Sequence, residues 1–221
     1  MEERYSRNIP SVSREECALL KEKTVFVAGC GGLGGHILDM LLRLGVGNIR
    51  CADGDFFDET NLNRQLLSDE ICLGRSKAQC ADEHAARVNS SVRFSAYEGF
   101  ITGENALELI RGADVVIDAL DTVSARKTVK SACDTLGIPF VYGAVSGWVA
   151  QAAVSMPGDG FLDMLYPAGY AKTEKSTLSF TPALCAAVQT SLCLKLLCSK
   201  EVESGRLYYI DLLDNEFETL F

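Results

Sequence analysis

The chain has 221 residues, of which 48% are hydrophobic and 23% are charged, a composition typical of a folded globular domain. Its formal net charge of −9 argues against a protein that coats nucleic acid. No run of 18 apolar residues is present and charges occupy the first segment, so we expect neither a membrane span nor a signal peptide. The nine cysteines form no C-x-x-C pair, which predicts reduced thiols, a cytoplasmic location and no zinc.

The first two thirds of the chain alternate between strand-like and helix-like segments. After an N-terminal arm with a short helix (1–23), a nucleotide-binding core is predicted over 24–145. Its predicted strands are 24–28, 48–52, 92–97, 114–119 and 140–143. Its predicted helices are 37–44, 77–88, 105–111 and 122–136, with a helical turn at 61–67. This order predicts an α/β fold with a Rossmann-like, doubly wound, mostly parallel sheet.

The remaining segment, 146–221, is predicted to extend the same domain. A strand at 149–156 follows the fifth strand without an intervening helix, which indicates antiparallel pairing. Residues 157–180 are rich in Gly, Pro, Ser and Thr and predict a long mobile loop. An apolar helix at 182–198 and two short strands at 207–212 and 216–220 complete the antiparallel C-terminal extension.

A glycine-rich motif, GCGGLG, lies between the first predicted strand and the helix that follows. Gly29, Gly31 and Gly34 match G-x-G-x-x-G, with Gly32 inside the motif. Such a turn lets backbone N–H groups approach phosphates at a helix N-terminus. Asp53 ends the next strand, where a carboxylate binds ribose hydroxyls. The motif alone most often indicates NAD, and a glycine turn needed only for packing is the alternative.

Two basic residues follow the ribose acid at the carboxyl edge of the predicted sheet. Arg64 and Lys77 lie 13 residues apart, and together they could hold the β- and γ-phosphates of a triphosphate as pyrophosphate leaves. A nicotinamide enzyme does not need this pair of cations. Taken singly, each residue would be interpreted as a surface side chain, so the hypothesis depends on their combination with the glycine motif.

An aspartate pair ends the fourth predicted strand. Asp118 falls within the apolar segment and is expected to cap or orient the strand end, whereas Asp121 lies beyond it at the ligand-binding crevice. A carboxylate beside a triphosphate is a natural ligand for Mg²⁺, which prefers one or two carboxylates together with phosphate oxygens. The alternative role for Asp121 is the N-cap of the following helix.

These motifs together resemble the ThiF/MoeB/HesA adenylyltransferases, relatives of ubiquitin-activating enzymes. The resemblance covers RYSR near the start, GCGGLGG, ADGDFFDETNLNRQ, GRSK, DALDTVSAR and the apolar C-terminal helix. It implies that Asp53 binds ribose, that Arg64 and Lys77 bind phosphates, and that Asp121 binds Mg²⁺. It further implies a homodimer in which Arg7 reaches the partner's site. The matched string adds further expected nucleotide-binding residues: Asp55, Asn61 and Gln65.

The resemblance also implies an activity. Members of the family use ATP and Mg²⁺ to adenylate the terminal glycine carboxylate of a ubiquitin-like sulfur-carrier protein ending in Gly-Gly. The sequence departs from the family pattern where many relatives bind zinc, since Phe161 and Met164 stand in place of sulfur ligands, and we expect apolar packing by both. No cysteine occurs in 170–180, and Cys185, within an apolar helix, is expected to fill the core.

Two other functions remain open at the level of sequence. An NAD-dependent oxidoreductase would use the glycine motif and Asp53, but only about 70 residues follow the fifth predicted strand, too few for a convincing substrate domain. A non-catalytic nucleotide-binding partner subunit is the other alternative. The joint presence of Arg64, Lys77 and Asp121 argues against it.

Overall fold

Eight strands form one sheet in the computed structural model, which describes residues 3–167, 170 and 176–221. The strands are β1 (Thr24–Ala28), β2 (Asn48–Asp53), β3 (Arg93–Glu98), β4 (Val115–Asp118), β5 (Phe140–Ser146), β6 (Val149–Ser155), β7 (Leu207–Asp211) and β8 (Glu216–Leu220). Their spatial order is β3-β2-β1-β4-β5-β6-β7-β8.

The sheet is parallel from β3 to β5 and antiparallel from β5 to β8. This arrangement confirms the predicted fold class, including the change of direction after the fifth strand. β1 pairs with β2 on one side and with β4 on the other. The strand order therefore reverses beside β1, and a crevice opens at the carboxyl ends of these strands.

Seven α-helices complete the described part of the chain. They are α1 (Arg14–Leu20), α2 (Gly32–Leu44), α3 (Lys77–Val88), α4 (Ala106–Ile110), α5 (Val123–Leu136), α6 (Phe161–Leu165) and α7 (Phe180–Leu197). One buried cluster packs α2, α3 and α7 on one face of the sheet, and a second packs α4, α5 and α6 on the other. The core is therefore a three-layer α/β/α sandwich.

Most predicted elements lie within two residues of the observed bounds, β5 extends three residues beyond its predicted end to Ser146, and three other segments differ more. α2 begins at Gly32 inside the glycine motif and not at residue 37, because tertiary packing of the motif overrides the low helix propensity of its glycines. The helical turn predicted at 61–67 is instead a 3₁₀ helix at Glu59–Asn61, capped by Asp58. α6 lies within the predicted loop 157–180; residues 168–169 and 171–175 of that loop are outside the described residues, and its mobility stays a prediction.

α7 is long and apolar enough to cross a membrane by length and composition. In the fold it contacts α2, β5 and β6, and half of its residues are buried. Its Gln189 is fully buried, and the amide donates hydrogen bonds to the carbonyls of Asp118 (2.7 Å) and Val141 (3.3 Å). These are the contacts of a core helix packed on a sheet.

Candidate nucleotide site at the carboxyl edge of the sheet

A cavity of about 730 Å³ opens where the strand order reverses, and we call it the edge cavity. Its wall includes the glycine motif, the end of β2, the turn after β4 and the end of β5. Ten of the residues singled out from the sequence line it: Gly29, Gly31, Gly32, Asp53, Asp55, Asn61, Arg64, Gln65, Lys77 and Asp121. Residues far apart in the chain therefore converge on one space large enough for a small-molecule ligand.

Two of the four motif glycines are required by the backbone. Gly29 has φ +105°, and a Cβ there would lie 2.7 Å from the carbonyl oxygen of Ala119. A Cβ on Gly34 would lie 1.9 Å from the carbonyl oxygen of Gly29, so α2 could not approach β1 this closely with a side chain there. Gly34 packs inside the motif and does not line the edge cavity, so the geometry supports a packing role for it and its expected part in cofactor binding stays a prediction.

The other two glycines have no such packing requirement. A Cβ on Gly31 or Gly32 would meet only ordinary contacts, at 3.6 Å from Gln65 and 3.8 Å from Pro182, and neither backbone is left-handed. Both glycines line the edge cavity. Gly31 is the N-cap of α2 and has no side chain with which to accept hydrogen bonds from the first amides of the helix. The absence of side chains at these positions therefore leaves room for a ligand to reach the helix N-terminus.

Asp53 joins the end of β2 to the glycine motif. One carboxylate oxygen accepts a hydrogen bond from the N–H of Cys30 at 2.7 Å, and the other accepts one from the N–H of Asp55 at 2.8 Å. Burial raises the pKa of Asp53, and the two backbone donors and the Lys77 ammonium oppose that effect. The carboxylate is thereby held rigidly at the cavity wall.

The two basic residues both face the edge cavity. Lys77 opens α3 and is buried, and its Nζ lies 3.3 Å from Oδ2 of Asp55. Arg64 donates from Nη1 to the carbonyl of Thr60 at 2.7 Å and to Oδ1 of Asn63 at 2.9 Å. These local bonds hold the guanidinium on its own turn, so Arg64 and Lys77 border the same cavity and both could donate charge-assisted hydrogen bonds to a bound phosphate group.

The turn that carries Arg64 is stabilised by buried amides. The Nδ2 of Asn61 donates to Oδ1 of Asp58 at 3.1 Å, and the carbonyl of Asn61 accepts from the N–H groups of Arg64 and Gln65. The buried Oε1 of Gln65 faces Gly31 and has no hydrogen-bond partner among the described residues. A ligand at the glycine motif would lie beside this unsatisfied polar atom.

Asp121 lines the edge cavity immediately before α5. The alternative role as N-cap is taken instead by Thr122, whose side chain accepts from the N–H of Ala125 at 3.4 Å. No group of three or more metal-ligating side chains occurs among the described residues. Asp121 places one carboxylate at the cavity wall, and Mg²⁺ in nucleotide sites is held by one or two carboxylates together with phosphate oxygens and water, so this residue fits the expected ion.

Sequence reasoning missed Arg126 as part of this site. Arg126 lines the edge cavity and is 6% exposed, and its guanidinium donates hydrogen bonds to Leu120, Gly143 and Tyr166. Its α5 neighbours Val129, Lys130 and Cys133 are also buried. Arg126 precedes Val129 by three residues and Cys133 by seven, so it lies on the same face of the helix as these apolar side chains. That spacing was the available signal in the sequence.

Arg7 does not line the edge cavity of its own chain, and its side chain is exposed. It belongs to the 3₁₀ helix Glu3–Asn8, whose Tyr5 contacts Gly45 just after the C-terminus of α2. Because the glycine motif lies at the N-terminus of α2, Arg7 is anchored at the opposite edge of the sheet. Its role in a partner's site stays a prediction.

The segment that departs from the zinc pattern was predicted half correctly. Phe161 is buried, and its ring lies 5.5 Å from that of Tyr142 in an edge-to-face arrangement. Met164 is 52% exposed, so the expected packing by its side chain is wrong; the short α6 turns it toward solvent. Cys185 is fully buried, and burial raises the pKa of its thiol to about 12, as a core residue requires.

Comparisons with known proteins agree with this geometry. The ThiF family matches residues 5–220. A SAMP-activating enzyme E1 from Haloferax volcanii is 30% identical over 227 residues, covering 99% of this chain and 84% of the relative. The sulfur carrier protein ThiS adenylyltransferase of Bacillus subtilis is 36% identical over 205 residues, covering 89% of this chain but only 60% of the relative.

Solved structures show the same fold. The Escherichia coli MccB structure in complex with ATP superimposes with a TM-score of 0.84 at 20% identity, covering 100% of this chain and 71% of that one. MccB in complex with N-formylated MccA gives a TM-score of 0.85 at 20% identity, covering 98% and 71%. With a family match from residue 5 to residue 220, the chain belongs to the ThiF family, as its motifs indicated.

Proposed function

We propose that this chain is an ATP-dependent adenylyltransferase that activates the C-terminal carboxylate of a ubiquitin-like sulfur-carrier protein ending in Gly-Gly. The observation that carries the proposal is the convergence of Arg64 and Lys77 with the open glycines Gly31 and Gly32 on one cavity. The names of the archaeal and Bacillus relatives support the same activity and class of partner.

The reaction needs no general base. A C-terminal carboxylate has a pKa of about 3.5 and is already ionised at neutral pH. A carboxylate oxygen attacks the α-phosphorus of ATP, and the bond from that phosphorus to the bridging oxygen of the β-phosphate breaks. Pyrophosphate leaves with the bonding electrons and an acyl-adenylate remains, so no proton is transferred.

Catalysis then consists of positioning and charge neutralisation. The amides at the start of α2 and the carboxylate of Asp53 bind the phosphates and the ribose. Arg64 and Lys77 offset the charge that develops as pyrophosphate leaves, and Asn61, Gln65 and Asp55 hold these groups in place. Asp121 would hold Mg²⁺, which supplies further charge neutralisation when bound.

Several finer features belong to the same proposal. We expect a homodimer in which Arg7 completes the partner's site, a cytoplasmic location, no zinc, and no membrane or nucleic-acid partner. The exposed position of Arg7 supports the first, and the nine free cysteines support a reducing compartment. The chain spans 84% of the archaeal relative but 60% of the Bacillus one, so steps after adenylation are not assigned to it.

The two alternatives are less well supported. An NAD-dependent oxidoreductase would not account for the presence of both Arg64 and Lys77 in the cavity lining or for the family match. A non-catalytic partner subunit would not require Arg64, Lys77 and Asp121 to converge there.

The decisive experiment is carrier-dependent exchange between ATP and labelled pyrophosphate with Mg²⁺, using small proteins that end in Gly-Gly as candidates. We expect exchange with the wild-type chain and a loss of at least 100-fold in Arg64→Ala. Arg206→Ala is the control, since Arg206 pairs with Glu203 on the surface away from the cavity. Absence of exchange with every candidate carrier, or full activity of Arg64→Ala, would contradict the proposal.

A further inference from the structure

The guanidinium of Arg126 connects three separate segments at the edge cavity. Its Nη2 donates to the carbonyl of Leu120 at 2.7 Å and to the carbonyl of Gly143 at 2.8 Å, and its Nη1 donates to the Tyr166 hydroxyl at 2.7 Å. The turn after β4, the strand β5 and the residue after α6 therefore share one planar cation. Only a rigid fork of donors makes these bonds simultaneously.

The turn before Asp121 is held from both sides by one buried ion pair. Asp118 is fully buried, and its Oδ2 lies 3.1 Å from Nε of Arg126. The Oδ1 of Asp118 accepts from the N–H of Leu120 at 3.0 Å, while Arg126 donates to the carbonyl of Leu120. Both backbone polar groups of the residue preceding Asp121 are thus bonded to the pair.

Stability alone does not account for this arrangement. Replacing a buried ion pair by apolar residues is often neutral or stabilising, because desolvation offsets the Coulomb attraction. Here Arg126 lines the edge cavity, and the pair is bonded to the residue that precedes Asp121, which is expected to hold Mg²⁺. On the basis of the proposed function, we infer that Arg126 is a positioning residue that fixes the turn carrying Asp121, and with it the Mg²⁺–triphosphate.

The test uses three variants. Arg126→Lys keeps a charge beside Asp118 but loses the fork. Tyr166→Phe removes one hydroxyl bonded to Arg126 and leaves every charge in place. Tyr142→Phe is the matched control. Like Tyr166→Phe, it removes the 2.6 Å contact between the Tyr142 and Tyr166 hydroxyls, but it leaves the hydrogen bond from Arg126 to Tyr166 in place.

Binding of ATP is measured by calorimetry with and without Mg²⁺. We expect Arg126→Lys to weaken binding at least tenfold with Mg²⁺ and less than twofold without it. Tyr166→Phe should lose at least threefold with Mg²⁺, and Tyr142→Phe should stay within twofold. In the ligand-free protein, hydrogen exchange of the amides at 120–122 should accelerate in Arg126→Lys and Tyr166→Phe but not in Tyr142→Phe.

The outcomes separate this inference from the proposed function. If the wild-type chain does not bind ATP, the proposed function fails. If it binds ATP and Tyr166→Phe behaves as Tyr142→Phe in both measurements, the positioning role of Arg126 is wrong while the function stands. Equal losses of ATP affinity with and without Mg²⁺ in Arg126→Lys would also overturn the positioning role. If Arg126→Lys fails to fold, the comparison of Tyr166→Phe with Tyr142→Phe decides between the outcomes.

Discussion

The carboxylate of Asp53 accepts a hydrogen bond from the backbone N–H of Cys30 across 2.7 Å, which ties the end of β2 to the glycine motif after β1. These two strands are neighbours in the sheet, with Ala28 opposite Ala52. The residue expected to bind ribose therefore also shapes the backbone expected to bind phosphate. A single side chain couples the two halves of the candidate nucleotide site.

Removal of this carboxylate should affect both binding and stability. We expect Asp53→Ala to weaken ATP binding more than tenfold and to lower the free energy of unfolding by about 1–3 kcal/mol, since two backbone donors lose their acceptor. Calorimetry and urea titration measure the two effects. Asp114→Ala is the control, because Asp114 accepts from the N–H of Thr24 at the other edge of the sheet. Equal ATP affinity of Asp53→Ala and wild type would contradict the prediction.

Two glycines in the same motif should respond oppositely to alanine. Gly34→Ala places a Cβ 1.9 Å from the carbonyl oxygen of Gly29 and should destabilise the fold by about 2 kcal/mol or more. Gly32→Ala meets no close contact, so the fold should persist while ATP affinity falls by at least tenfold. Thermal denaturation and ATP titration of the two variants provide the comparison. A Gly32→Ala protein that binds ATP normally would show that the open glycines serve no ligand.

Phe161 and Met164 occupy the same short helix but should differ in their contribution to stability. Phe161→Ala removes a buried ring packed on Tyr142 and should cost about 3–5 kcal/mol. Met164→Ala alters an exposed side chain and should change the free energy of unfolding by less than about 0.5 kcal/mol. Chemical denaturation of both variants tests this difference. Similar losses at the two positions would mean that Met164 is packed in solution.

The buried Asp118 should give the protein a distinctive pH dependence. Burial raises the pKa of Asp118 to about 6, against an opposing effect of Arg126, while the unfolded value is about 3.9. Between these values the folded state binds more protons than the unfolded state, so this group's contribution to stability falls as pH rises from about 4 through 6.

This contribution is isolated by comparing wild type with Asp118→Asn, which does not titrate. The stability of wild type relative to the variant should decline by about 2 kcal/mol from pH 4 to pH 7, because the pKa values of the folded and unfolded states differ by about two units and the unfolded carboxyl is already partly ionised at pH 4. Urea unfolding across this range measures the difference. A constant difference, or one that grows with pH, would contradict the raised pKa of Asp118.

Local sequence was sufficient for the parallel part of the fold and for most of the site. The segment TVFVA predicts β1 because β-branched and aromatic residues favour strands, and the adjoining glycines predict the sharp turn into α2. Because strand ends of a parallel sheet share one edge, the order of elements also brings Asp53, Lys77 and Asp121 together.

Tertiary structure decided the features that depend on partners distant in the chain. Whether Met164 or Phe161 is buried follows from how α6 meets Tyr142, and periodicity over five residues contains too little information to choose. Gly29 and Gly34 are needed for packing, whereas Gly31 and Gly32 leave open space. This difference could be recognised only from the positions of Ala119 and of the edge cavity.

Arg126 is the strongest case of this limit. An arginine on a helix is ordinarily interpreted as exposed, since burial of an unpaired charge is costly. Here Asp118 compensates the charge, and carbonyl and hydroxyl acceptors from β5 and from the residue after α6 bind the remaining donors. The sequence by itself determined which backbone elements form and in what order. Only tertiary packing determined which polar side chains are buried between those elements. The reason is that the cost of desolvating a polar side chain is compensated by groups that are distant in the sequence.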